Sequence, residues 1–73
     1  MKIDEIKKLI TDITTITQTD LENTEIKLQD NQLTVNGIGS FTITHPENIT
    51  YIFIGWKWTT IKITDDIIIR IYR

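Results

Sequence analysis

The sequence predicts an α+β domain: one N-terminal amphipathic helix packed on a five- or six-stranded antiparallel meander sheet, which curls if it has to. Three observations lead there. Apolar residues recur at spacings of three and four over the first sixteen positions, then switch to strict alternation. Ile and Thr, both β-branched and stiff at χ1, supply 30 of the 73 residues, and there is no alanine; such a composition favours strands. Turn-forming pairs punctuate the alternating runs at short intervals, and short connections between successive strands imply antiparallel neighbours.

The helix is expected over about residues 3–17. Ile3, Ile6, Leu9, Ile10, Ile13 and Ile16 form one stripe roughly 140° wide at about 100° per residue. Asp4, Glu5, Lys8, Thr11, Asp12, Thr15 and Gln18 lie outside it. Asp4 and Glu5 complement the helix dipole in the first turn, and Asp4 with Lys8 has the favourable ion-pair spacing, contributing about 0.3 kcal/mol. Residues 14–19 are poor helix formers, so the helix should fray there. Thr19-Asp20-Leu21-Glu22 has the spacing of a capping box and reads as the exit from the helix or one extra turn.

Strands follow at about 24–29, 32–36, 39–44, 49–56, 58–64 and 67–72. Asp30-Asn31 separates the first two and suits a tight hairpin. Asn36-Gly37 is the strongest turn signal of the chain. Phe41 and Ile43 alternate with Thr42 and Thr44, and His45-Pro46-Glu47-Asn48 stops that run because proline cannot continue a ladder. From Ile49 to Trp56 the chain is apolar on both faces, with Gly55 a candidate bulge or bend. Asp65-Asp66 supplies the last turn. The whole reads as a single domain, residues 1–73, with no repeat, linker or low-complexity tract.

The bounds are narrow. A chain of this length hides only about 60% of its unfolded surface and has a thin core. With no cysteine it can form neither a disulfide nor a thiolate metal site, which fits a reducing, cytoplasmic location. The N-terminus leads into no apolar run of the signal-peptide kind, and the longest aliphatic stretch, Ile67-Ile68-Ile69, is far too short to cross a bilayer. A net charge of −2 offers no general attraction to nucleic acid or anionic membrane. Six strands span nearly 29 Å against about 10 Å for one helix. Either the sheet curls into a small barrel or apolar surface is left for another chain.

No catalytic set emerges, so the chain is read as a non-enzyme without cofactor or metal. His45 is the single histidine and sits in a turn, where histidines are usually solvated. Asp65-Asp66 lacks a third ligand for a hard cation. Gly37-Ile38-Gly39-Ser40 is not followed by a helix, so the phosphate-cradle reading fails. Asn48-Ile49-Thr50 matches a glycosylation sequon by chance.

What stands out is Gly55-Trp56-Lys57-Trp58. In a regular strand Trp56 and Trp58 share a face, with Lys57 opposite. They form either core filling or an aromatic ridge of the kind enriched in binding hot spots, and Gly55 permits a bulge that separates the two rings. Tyr51, Arg70 and Tyr72 are candidates for the same surface or its rim. The expectation is a small protein-binding module, an inhibitor or regulator of a larger protein. Small stand-alone domains of this kind occur among phage and mobile-element inhibitors, anti-CRISPR and immunity proteins included. The alternatives are a single-stranded nucleic-acid binder, with Lys57, Lys62, Arg70 and Arg73 tracking phosphates, and a self-assembling subunit or homodimer that pairs Ile67–Ile71 across a sheet edge or packs an apolar sheet face.

Overall fold

The computed structural model describes residues 2–45, 47 and 49–72. Helix α1 covers Ile3–Ile13 and turns its stripe inward, with Ile6, Ile10 and Ile13 buried. It ends earlier than the periodicity suggests. Thr14 is already extended (φ −134°, ψ 174°), its N–H reaching back to the Ile10 carbonyl, to which its hydroxyl also donates at 2.6 Å. The β-branched run Thr14-Thr15-Ile16-Thr17 favours this extended exit. Ile16 remains buried, outside the helix. A second short helix, α2, follows at Gln18–Glu22. The capping box is present but starts two residues before the expected one: the Thr17 hydroxyl accepts from the Asp20 N–H at 3.0 Å, and the Asp20 carboxylate accepts from the Thr17 N–H at 3.2 Å. Lys8 pairs with Asp12 at 3.1 Å rather than with Asp4.

Five strands form one mixed sheet: β1 Glu25–Gln29, β2 Gln32–Asn36, β3 Tyr51–Ile54, β4 Trp58–Thr64 and β5 Ile67–Tyr72, in the order β1-β2-β5-β4-β3. The expectation of a simple antiparallel meander is corrected here. β3, β4 and β5 do meander, but β5 then lies parallel to β2, with Leu33 opposite Ile69 and Val35 opposite Ile71. The last strand is therefore the centre of the sheet. Its alternating burial, with Ile67, Ile69 and Ile71 buried, gives it the apolar face a central position needs.

The strand expected at 39–44 is not one. Residues 37–50 instead form the connection that carries the chain from β2 to the far edge. It is pinned to the end of α1 by a single bridge, Thr14 opposite Ile43. The Thr15 N–H donates to Thr42 O at 2.9 Å and the Thr44 N–H to Ile13 O at 2.8 Å. Phe41, Ile43 and Ile49 are half-buried against the core. Gly37, at φ +99°, opens this connection in the left-handed region that glycine adopts without penalty. Pro46 and Asn48, the acceptor of the glycosylation triplet, lie outside the described residues. At Asp30-Asn31 the expected two-residue hairpin forms, with Gln29 opposite Gln32 and Asp30 at φ +54°. Asp65-Asp66 joins β4 to β5 likewise, with Thr64 opposite Ile67. The strand expected over 49–56 shortens to Tyr51–Ile54.

The core is one layer between the helices and one face of the sheet: Ile6, Ile10, Ile13, Ile16 and Leu21 above, and Leu33, Val35, Ile61, Ile69 and Ile71 below, all buried. The sheet neither closes into a barrel nor carries a second described layer.

Candidate binding face

Residues directly opposite one another on neighbouring strands share a face, so the register gives the composition of the uncovered side. One row across it runs Tyr51, Lys62, Ile68, Gln32; the next runs Phe53, Thr60, Arg70, Thr34, Lys27; a third holds Trp58 and Tyr72. Each strand thus sends its alternate residues inward to the Ile core and the remainder to this face. Tyr51 and Phe53 are about half exposed, at 54% and 48%. Trp58, Tyr72 and Arg70 are half-buried against one another: the Trp58 and Tyr72 rings lie 5.7 Å apart, tilted by 47°, and the Arg70 guanidinium is 5.4 Å from the Trp58 ring centre, within cation–π range. Arg70 Nε is shielded from water and finds no acceptor among the described residues.

Trp56 and Trp58 do not form a strand ridge. The Gly55 N–H donates to Trp58 O at 2.9 Å, which closes a two-residue turn on Trp56 and Lys57. Trp58 begins β4 and faces the open side. Trp56 stands at the tip, 85% exposed, with Lys57 Nζ 5.4 Å from its ring centre. Gly55 is required by its surroundings: a Cβ there would lie 2.8 Å from Trp58 O and 2.9 Å from Phe53 Cε1. The missing side chain lets the Phe53 ring lie against the turn. Between Phe53, Trp56 and Trp58 this leaves an open notch of about 380 Å³ lined also by Lys57.

Two more depressions lie on the same face. One, of about 350 Å³, is lined by Tyr51, Thr60, Lys62 and Ile68. The other, of about 240 Å³, is lined by Glu25, Lys27, Thr34, Asn36 and Tyr72. Each of the three is thus lined by at least one aromatic residue and one lysine.

Charge is segregated. Lys27, Lys57, Lys62 and Arg70 lie on or at the rim of this face, with Glu25 paired to Lys27 at 3.0 Å and Asp65 to Lys62 at 3.4 Å. The other described charges, three lysines and eight carboxylates, sit on or beside the helices, in the 37–50 connection and at the opposite hairpin tips. The weak net negative charge of the chain hides a basic face and an acidic remainder. Arg73 lies outside the described residues.

The remaining candidates do not converge. His45 Nδ1 is 3.2 Å from Glu47 Oε1 in an exposed turn. The Glu47 carboxyl is held below its ordinary value chiefly by a backbone hydrogen bond; desolvation opposes this, and His45 contributes least. Among the described residues no three His, Asp or Glu side chains come together as metal ligands, and no helix is long and apolar enough to cross a membrane. The tryptophan pair marked this region in the sequence. Phe53 and Thr60 carry no such signal, and only the strand register brings them beside Arg70. Compared with known proteins, the chain matches no family model, no curated protein and no solved structure.

Proposed function

We propose that this chain is a non-catalytic binding module that engages a larger partner through the open face of its sheet, acting on that partner as an inhibitor or regulator. The observation that carries the reading is the uncovered face itself. Both helices lie on the other side, yet this one bears Tyr51, Phe53, Trp58 and Tyr72, with Trp56 projecting beside it. A protein partner, as the sequence suggests, would find a Trp anchor there of the kind that dominates hot spots. Single-stranded nucleic acid would find rings to stack on. A homodimer would use the same face or the free edge of β3, whose four residues carry no charge.

The test places a photo-crosslinking side chain at Trp56, and in a second protein at Lys8 on the helix side, and irradiates each in an extract of the source cells. Specific higher-mass adducts from position 56 alone are expected. Adducts equally abundant from both positions, or from neither, would remove the open face as the working surface.

A further inference from the structure

We infer that the open face is a site for single-stranded nucleic acid, two or three bases stacking on its rings while phosphates lie along Lys57, Lys62, Arg70 and Lys27. The inference rests on the binding-module reading above and names the partner class.

Three features favour this occupant over an acidic protein. The first is the mixture of residue types. Cores of protein interfaces are depleted in lysine, whereas here Lys62 lies directly across from Tyr51, and Arg70 with Thr60 between itself and Phe53. Stacking surfaces for single strands combine aromatic rings with a cationic track in this way.

The second is repetition: three separate depressions of the face, distributed from the β3–β4 turn to β1, are each lined by at least one aromatic residue and one lysine. A nucleotide offers both complements, a flat base and an anionic phosphate. Five strands at about 4.8 Å spacing give a track of about 19 Å, and small open sheets of this kind typically stack two or three bases. Thr34, Gln32 and Asn36 border the track with neutral donors and acceptors able to meet base edges.

The third is charge complementarity. The net acidity of the chain argues against a polyanion only if the charge is spread evenly, and it is not. Of the described carboxylates only Glu25 lies on the face, where it lines one depression, and Asp65 stands at its rim; both are held in exposed ion pairs with Lys27 and Lys62. Such pairs are weak and leave their lysines free to exchange partners. An acidic opposite side would also orient the molecule as a strand approaches.

The experiment uses the full chain, fluorescein-labelled 12-nucleotide single-stranded DNA and RNA of mixed sequence, and a labelled oligoglutamate of equal charge. Tryptophan quenching and anisotropy are followed at 50 and 200 mM salt. Expected is saturable quenching by one or both oligonucleotides. With about three phosphates engaged, affinity should fall on the order of tenfold between the two salt concentrations. Phe53→Ala should weaken binding about fivefold or more through loss of one stacked base, with Tyr51→Ala as the second variant should the first disturb the turn. The double change Lys57→Ala, Lys62→Ala should flatten the salt dependence, and Lys8→Ala on the helix side should change nothing. Absence of quenching by either nucleic acid at tens of micromolar and 50 mM salt overturns the inference, as does oligoglutamate binding equally well. Either result together with specific position-56 crosslinks leaves the binding-module reading standing with a protein partner. Loss of those crosslinks as well removes both.

Discussion

At Gly55 and its neighbours the open face depends on single atoms. A methyl group at position 55 would meet a backbone oxygen and the Phe53 ring at under 3 Å, and neither the turn nor the ring can yield without the other moving. Gly55→Ala is expected to cost about 1–3 kcal/mol, the usual range for overpacking, and to displace Phe53; urea unfolding together with the Phe53 ring chemical shifts would show both. The two tryptophans separate more sharply. Trp56→Ala should change stability by less than about 0.5 kcal/mol, as exposed positions do. Trp58→Ala removes a ring packed against Tyr72 and Arg70 and should cost about 1–3 kcal/mol. Equal melting temperatures for the two variants would contradict this assignment. The half-exposed character of Trp58 follows from its place on an uncovered face, where one side of the indole packs and the other meets water.

At the scale of elements, α1 is held to the sheet by its Ile stripe and by little else. Ile10 is fully buried at the centre of the core. Ile10→Asp would bury an unpaired carboxylate, costing several kcal/mol against a total of about 5 kcal/mol for a domain this small, so an unfolded or aggregated product is expected, checked by circular dichroism and by recovery in the soluble fraction. This helix, the Asp30-Asn31 and Asp65-Asp66 hairpins, and strands β2, β4 and β5 were legible in the sequence because their signals are local: a period of 3.6, a period of two, and residues suited to turns. The 37–50 connection was not. Phe41, Thr42, Ile43 and Thr44 alternate like a strand, but they meet the end of α1 through one bridge instead of a ladder, and alternation cannot report whether a neighbouring strand exists. The candidate face was half legible for the same reason. Trp56, Trp58, Tyr51, Arg70 and Tyr72 stood out by type, and all five lie on or beside the face, but Phe53, Thr60 and Lys27 join it only through cross-strand register. Gly55 was readable as a break; that it ends a strand and turns Trp56 outward depends on contacts with Phe53 and Trp58.

For the molecule as a whole, the position of β5 decides stability. The β1–β2 and β3–β4 hairpins share no ladder with each other; each pairs with β5 on one side, β2 in parallel and β4 antiparallel. An isolated two-stranded hairpin is marginal at best in water, so neither half persists without the strand between them. This arrangement also keeps Ile67–Ile71, the most aggregation-prone segment of the chain, away from the sheet edges, which are left to the shorter β1 and β3; a dimer formed by pairing Ile67–Ile71 across an edge is thereby ruled out for the folded state. Completing the sheet requires the parallel pairing of β2 with β5, residues 32–35 with 68–71, a non-local contact of the kind that slows folding. A chain ending at Asp66 tests the point. It loses Ile67, Ile69 and Ile71, all buried, each of which would cost about 2–5 kcal/mol if merely cut back to alanine. Their combined loss is of the order of the whole stability available to 73 residues. The truncated chain is expected to show no cooperative thermal transition and no dispersed amide spectrum, whereas removal of Met1 and Lys2 should leave both. A cooperative transition in the chain ending at Asp66 would mean that the hairpins and α1 hold together without the central strand, and would overturn the account of the sheet as two halves joined by β5.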